Sequence, residues 1–575
     1  MLVLFSYTIN FSITDAITGY GIRATVKINN TVHKTTENGF LTLDLKEGKY
    51  SISVEAKGYR ELKTTLNVDK TTPKDINFML MPLEIPQPPK PKNGYAIWYG
   101  WVVDEKTRTP LEGVNVQVNT PYGSYNAKTD NKGYYYVEFP VKGSNGEKPL
   151  EGKVIFSKNG YTTFEKTGIF ILEGVQRLNA QLSPGNGRVI KKKEHGINIE
   201  KQSEDFKKKS FTPSDEDYEL HAPLLIPPST IKVGTNCSCR SCSSVSIVSL
   251  ETYVQYGLDD EWIASWNAHS LRAGAIPYRS YGAWHVLNPI NSSYDICNSA
   301  CCQVWDPSDS YSSTVNAAIY TSGIMLENSG TIARSEYSAE NNDCGCGDGY
   351  SGDGVYWPCI SDPVCTGRSC YGHGRGMCQW GSSRWANNGY TWKWINEHYY
   401  SPGGYRLSTP MYITSISASP TNVCIGDTFT IYVNIRNYAE DTHNQIMIGA
   451  SLYNGSYYSD PPNDRKITVP SGSSTGSRIF VVPSGTPAGT YDLLVALWFD
   501  VDENNAINSG DFMMYMVSQP SLINVCLTSV DEEISKLTKN GGKVYRVDGK
   551  IVKGIENKGV YFIVKDGKVK KVIRR

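Results

Sequence analysis

Twelve of the chain's fourteen cysteines fall between Cys237 and Cys378, and only Cys424 and Cys526 lie outside that stretch. This crowding partitions the 575 residues before any other feature is considered. A segment so rich in sulfur folds around disulfides in an oxidising compartment, around a metal, or around both, while its flanks must find stability in ordinary cores. Reduced cytosolic thiols are the remaining alternative and account least well for the clustering. A chain of this length exceeds one hydrophobic core, so about three to five domains are expected.

The flanks read as strand. Charged residues make up only 20% of the chain, whereas tyrosine (38) and glycine (52) are abundant, as in turn-rich β modules and unlike helical bundles. Basic and acidic residues balance at 57 each, which gives no global pull toward nucleic acid. No apolar stretch reaches about 18 residues, so no membrane-spanning helix is expected. The opening MLVLFSYTINFSITDAITG lacks a basic n-region and a cleavage site; a signal-peptide remnant and a first strand are both open readings.

Residues 1–82 and 94–183 alternate apolar and polar positions and echo one another. GluAsnGlyPhe at 37–40 answers AspAsnLysGlyTyr at 130–134, and AlaLysGlyTyr at 56–59 answers LysAsnGlyTyr at 158–161. Asn-Gly and Lys-Gly turns close hairpins with residues that tolerate positive φ. The shared pattern resembles the carboxypeptidase regulatory-like β-sandwich, a spacer or adhesive module, and neither copy carries a catalytic constellation. Between them, the proline-rich 83–93 is a polyproline-type spacer. A charged linker follows at 184–227 and is expected to be solvated and partly disordered.

Residues 411–526 read as an immunoglobulin-like sandwich whose ends Cys424 and Cys526 could tie. Within it, DVDENNAINSGD places Asp500, Asp502, Asn504, Asn508 and Asp511 at positions 1, 3, 5, 9 and 12 of a calcium loop, with Ala506 supplying a carbonyl and Asn505 at the glycine position. An acidic hairpin turn is the alternative. The tail, 527–575, carries a GVYF strand and a basic end and resembles the C-terminal sorting segment of type IX secretion; a plain hairpin would look similar.

Chemistry concentrates in 228–410. The run from Ser265 to Val286 has helical apolar spacing interrupted only by Pro277. Asp259, Asp260 and Glu261 stand just ahead of it beside Trp262. A carboxyl against an indole can be desolvated and its pKa raised, as a general acid at neutral pH requires. Three acids near a helix start are equally well explained as surface groups favoured by the helix dipole.

Three ordered motifs alter that balance. Tyr253, Glu261 and SLRAGAIPYRSYG (270–282), then YDICNSACCQVW (294–305), then YGHGRGMCQWGS (371–382) with WKWINEHYY (392–400) together resemble the stage II sporulation protein D / LytB family of peptidoglycan-acting domains. The expected fold is therefore multidomain and mainly β, with two N-terminal sandwiches, a central α+β domain, the immunoglobulin-like sandwich and a small β tail. The resemblance implies a secreted or surface lytic transglycosylase acting on peptidoglycan glycan strands. Glu261 would be its acid/base, and Arg279, Tyr281, Gln303, His373 and Gln379 would bind substrate. The alternatives are a non-catalytic enhancer of a partner amidase and a wall adhesin. The chemistry itself needs no cofactor. Cys301 stands where the family has histidine, so Cys297, Cys301 and Cys302 form either a zinc set or disulfides, for example to Cys344, Cys346, Cys359, Cys365 or Cys370.

Overall fold

The computed structural model describes residues 6–197, 221–341, 360, 362–368, 371–526, 543–552, 559–565 and 568–574. It is mainly β, with several separate sheets and few helices, as the residue patterns predict. Two compact units are formed. The first holds the N-terminal modules and the cysteine-rich region, and the second holds most of the chain beyond residue 411.

In the first module, strand Ser6–Asp15 turns Ile9, Phe11 and Ile13 inward, as a period of two requires. They meet Val26, Ile52, Val54 and Leu66 of a facing four-stranded sheet. The repeated motifs are structural. Gly39 (φ +80°) and Gly133 (φ +64°) occupy equivalent turns, and a Cβ at either would overlap the carbonyl of Ile13 or Val102. The two Gly-Tyr motifs also act alike: the Tyr59 hydroxyl donates to Asp15 Oδ2 at 2.8 Å and the Tyr161 hydroxyl to Asp104 Oδ2 at 2.9 Å. The free carboxylate oxygens, Asp15 Oδ1 and Asp104 Oδ1, accept backbone N–H groups of the following turns.

The N-terminal modules share sheets with the region that follows. Strand Asp75–Leu80 of the first module pairs in parallel with Ser241–Ser249, giving a six-stranded sheet that continues through Thr230–Ser238 to Ile296–Cys297. Val245, Ile247 and Tyr294 complete the first module's core. In the second module, Gly174–Leu178 pairs with Asp309–Tyr311. The proline-rich spacer therefore joins modules that are each hydrogen-bonded to the central domain.

The expected disordered linker also begins in order. Arg188–Lys192 is a strand at the edge of the second module's five-stranded sheet, parallel to Thr163–Ile171. Its start is held there by Arg188 on Glu165, and Lys191 pairs with Asp306. Residues 198–220 of that linker lie outside the described residues.

The central domain contributes the helices: α1 (Leu250–Gln255), α2 (Leu258–Glu261), α3 (Ala268–Leu287), α4 (Ser312–Tyr320), α5 (Gln379–Asn387) and α6 (Trp392–Tyr400). Helix α3 is capped by the Asn267 side chain, contains Pro277 and packs against α4, α5 and α6. Glycine at 274 lets Trp262 lie directly on the helix backbone.

In the second unit, a three-stranded sheet (Met411–Ser419, Thr428–Asn437, Gly472–Val481) accompanies a larger sheet centred on Gly489–Phe499 and Phe512–Cys526. Cys424 and Cys526 are partners in a parallel ladder and are disulfide-bonded. The tail strands Lys543–Arg546, Ile551–Val552, Gly559–Lys565 and Lys568–Arg574 form a small antiparallel sheet.

Candidate functional site

The three acids of α2 are buried, at 5%, 0% and 5% exposure for Asp259, Asp260 and Glu261, which removes the surface-dipole explanation. They face two different environments. Asp259 and Asp260 point to the Lys193 ammonium, at 3.2 and 2.8 Å, which also reaches Asp309 at 2.7 Å. Lys166 meets Asp309 at 2.6 Å and Asp306 at 3.1 Å. Asp259, Asp260 and Asp309 are close enough to hold a metal, but the lysine already supplies their cation.

Glu261 sits among neutral amides. Its Oε1 accepts the Val304 N–H at 2.9 Å, and the Gln379 amide donates to its main-chain oxygen at 2.7 Å and to Oε2 at 3.4 Å. Burial lifts its pKa to about 7, and these two donors act in the opposite direction. Trp262, next in sequence, lies against the Tyr337 ring at 4.9 Å and donates to Ser382 at 3.3 Å.

Matched positions from all three motifs converge here. The Tyr253 hydroxyl donates to Gln303 Oε1 at 2.7 Å, and the Gln303 amide donates to the Tyr337 hydroxyl at 2.9 Å. Gln303, Tyr281 and His373 line a cavity of about 320 Å³ together with Arg240, Arg334 and Tyr337. That cavity adjoins the carboxyl's supports, because Gln303 precedes Val304 in the chain. His373 is exposed and its Nδ1 accepts the Arg375 N–H at 3.0 Å.

Arg279 requires correction. It is fully buried, grips Glu251 through Nε at 2.8 Å and Nη2 at 2.9 Å, and donates to the Ala318 and Ile324 carbonyls. It locks α3 to α1 and α4, so it has no face to offer a sugar.

The zinc reading of Cys297, Cys301 and Cys302 also gives way. Cys297 is bonded to Cys302, and Cys301 to Cys239, while Cys237 closes on Cys242. Disulfide sulfurs are not thiolate ligands. Their partners differ from the ones considered: Cys344, Cys346, Cys359 and Cys370 lie outside the described residues, and Cys365 Sγ instead lies 3.4 Å from Cys378 Sγ.

Residues that the motifs do not mark complete the site. Tyr337 and Arg334 belong to a stretch where the family pattern is lost, and the Val304 contribution is a backbone group without a side-chain signature. Lys193 belongs to a charge run that reads as solvated linker. Beyond it, the Gly196 N–H donates to the Asp260 carbonyl at 2.7 Å, and a Cβ on Gly196 would overlap the Glu261 carboxyl.

In the second unit, carboxylate oxygens of Asp500, Asp502 and Asp511 gather within 4.8 Å of one another. Asn505 adopts φ +61°, the left-handed backbone demanded at the loop's glycine position. The Asn504 and Asn508 amides donate to Asp502 Oδ2 at 2.9 and 3.2 Å. Lys466 Nζ is 3.2 Å from Asp500 Oδ2. The donor set is the hard oxygen type that calcium takes.

Residues 239–327 match the family model described as SpoIID, stage II sporulation protein. The chain carries a SpoIID domain, flanked by β-rich modules. No curated protein matches the sequence. Among solved structures, the TIE protein of Bacillus anthracis is 15% identical with a TM-score of 0.12, covering 31% of this chain and 34% of that one. Spo0M, a sporulation control protein of Bacillus subtilis, is 12% identical with a TM-score of 0.16, covering 27% and 66%. The CARDB domain of PF1109 from Pyrococcus furiosus is 14% identical with a TM-score of 0.13, covering 21% and 98%. The chain thus spans about a third of the first of these and just under two thirds of the second, and likenesses this slight carry no argument. The SpoIID domain gives the chain a cell-wall-related role. Its disulfides fit an extracytoplasmic setting, and among the described residues no helix is long and apolar enough to cross a membrane.

Proposed function

We propose that the central domain cleaves peptidoglycan glycan strands as a lytic transglycosylase, at the bond between N-acetylmuramic acid and N-acetylglucosamine. The reading is carried by one observation: Glu261 is a buried carboxyl with a pKa near 7 whose hydrogen-bond partners are amides. In its acid form it gives its proton to the glycosidic oxygen as the bond to the anomeric carbon breaks. The resulting carboxylate then takes the proton of the muramyl C6 hydroxyl as that oxygen bonds to the anomeric carbon, leaving a 1,6-anhydro end. The attacking oxygen belongs to the substrate, so one carboxyl serves where ordinary glycosidases use two, and tethering replaces the positioning of a water. Tyr281, Gln303 and His373 offer polar groups to the sugars, while Gln379 holds the carboxyl.

The test is digestion of purified glycan strands followed by mass spectrometry. Anhydro-ended products are expected from the native chain, and their complete loss with strand binding retained in Glu261→Gln. Turnover retained in that variant rejects the acid/base role. A second reading, an enhancer that binds strands for a partner amidase, is favoured by the cover that Gly196 places over the carboxyl. It predicts no product alone and faster peptide release when an amidase is added. In either case the chain is a secreted or surface protein of the bacterial wall. Asp500, Asp502, Asn504, Asn508, Asp511 and the Ala506 carbonyl would hold a structural calcium in the second unit.

A further inference from the structure

The ground in front of Glu261 is taken by the chain itself. After the edge strand Arg188–Lys192, residues Lys193–Ile197 cross over α2 with each residue but Glu194 anchored. Lys193, 3% exposed, is sunk among Asp259, Asp260 and Asp309. The His195 ring stacks on Phe170 at 3.7 Å, and its Nε2 lies 2.8 Å from the Gly168 carbonyl oxygen. Gly196 donates to the Asp260 carbonyl and lies so close to the Glu261 carboxyl that not even a methyl group could be added between them. Ile197 is buried at 4% exposure. A general acid must come within about 2.6–3.2 Å of the oxygen it protonates, and no sugar ring can do so where a methyl group cannot fit.

We propose that Lys193–Ile197 is an autoinhibitory strap that shuts the Glu261 carboxyl off from substrate, and that a glycan strand engages only after the strap has lifted. This rests on the reading of Glu261 as the acid. The anchors are of two kinds. Lys193 neutralises buried aspartates and belongs to the fold, whereas His195, Gly196 and Ile197 make neutral contacts that can be released without stranding a charge. Lifting is therefore expected to pivot at Lys193. Residue 196 must be glycine for the strap to close, so any side chain there holds it open.

The experiment compares the full-length wild type with Gly196→Ala and with the double variant His195→Gly/Ile197→Gly. Two readouts are taken: labelling of Glu261 by a water-soluble carbodiimide and an amine near pH 6, mapped by mass spectrometry, and release of anhydro-ended product from glycan strands. Circular dichroism and melting verify the fold. For the wild type alone, hydrogen exchange of the peptide covering 193–197 is followed with and without strands. A site open a tenth of the time loses that factor in apparent affinity, so gains on the order of tenfold are expected in both labelling and turnover, with faster exchange in the wild-type strap when strands bind. Increased labelling without product upholds the strap and rejects Glu261 as catalyst. Wild-type labelling as fast as that of the folded variants, or turnover that falls in them while labelling stays constant, overturns the strap. If neither variant folds, hydrogen exchange unchanged by strands overturns it as well.

Discussion

Glu261 and Asp260 are consecutive and equally hidden from water, yet they carry opposite chemistry because of what answers their charge. An ammonium meets Asp260; only amide dipoles meet Glu261. Cleavage needs the acid form, so product formation is expected to fall as pH rises through about 7. In Gly196→Ala the carboxyl gains water, the burial that raises its pKa is relieved, and the falling limb of the pH–rate profile should move to lower pH. The same group links stability to pH. Its folded pKa lies above its unfolded value, so its contribution is full below the ordinary glutamate range and is lost as pH rises through about 7. Wild type should therefore lose melting temperature relative to Glu261→Gln between pH 5 and 8, by the equivalent of about 3 kcal/mol at most; an unchanged gap would show the carboxyl to be solvated. At this scale the residues were legible only through their spacing with Tyr253, Gln303 and Gln379. Burial was not, because the groups that produce it, Val304 and Gly196, lie 43 and 65 residues away. Arg279 was misread for a related reason: a helix position says nothing about whether its guanidinium faces a groove or a buried glutamate.

Elements differ in how much of them is local. The turns at Gly39 and Gly133 and the left-handed Asn505 follow from a residue's own backbone preference and could be anticipated. The acidic loop makes a further prediction: calcium should raise the thermal transition of the second unit relative to chelator, by about 2.7 kcal/mol at a hundredfold excess over Kd, and Asp502→Ala should abolish the response. A transition indifferent to calcium would assign the cation role to Lys466 alone. The strand Arg188–Lys192 could not be anticipated. Its sequence, RVIKK, reads as the start of a charged linker, and the partners that order it, Glu165 and Asp306, come from opposite sides of it in the chain.

For the whole molecule, alternation and turn spacing reveal how many modules there are but not that they share sheets. A strand pattern specifies which face is apolar and leaves open which neighbour takes its edge. Removing residues 1–82 should therefore do more than shorten the chain. It would strip the partner from Ser241–Ser249 and expose Val245 and Ile247, an unpaired apolar edge of the kind that aggregates. Reduced solubility or a lowered melting temperature of the remainder, compared with full-length chain, is the expected result; an unchanged melt would mean that the shared sheet contributes nothing to the central domain.

The segment in front of Glu261 hangs from the outermost strand of its sheet. An outer strand can be unzipped one ladder rung at a time from its free end, and the four strands left behind keep every bond they make with each other. Opening the site would then resemble lifting a latch more than swinging a door: it asks no domain to move and no core to loosen, and the same few rungs re-form when the strand falls back.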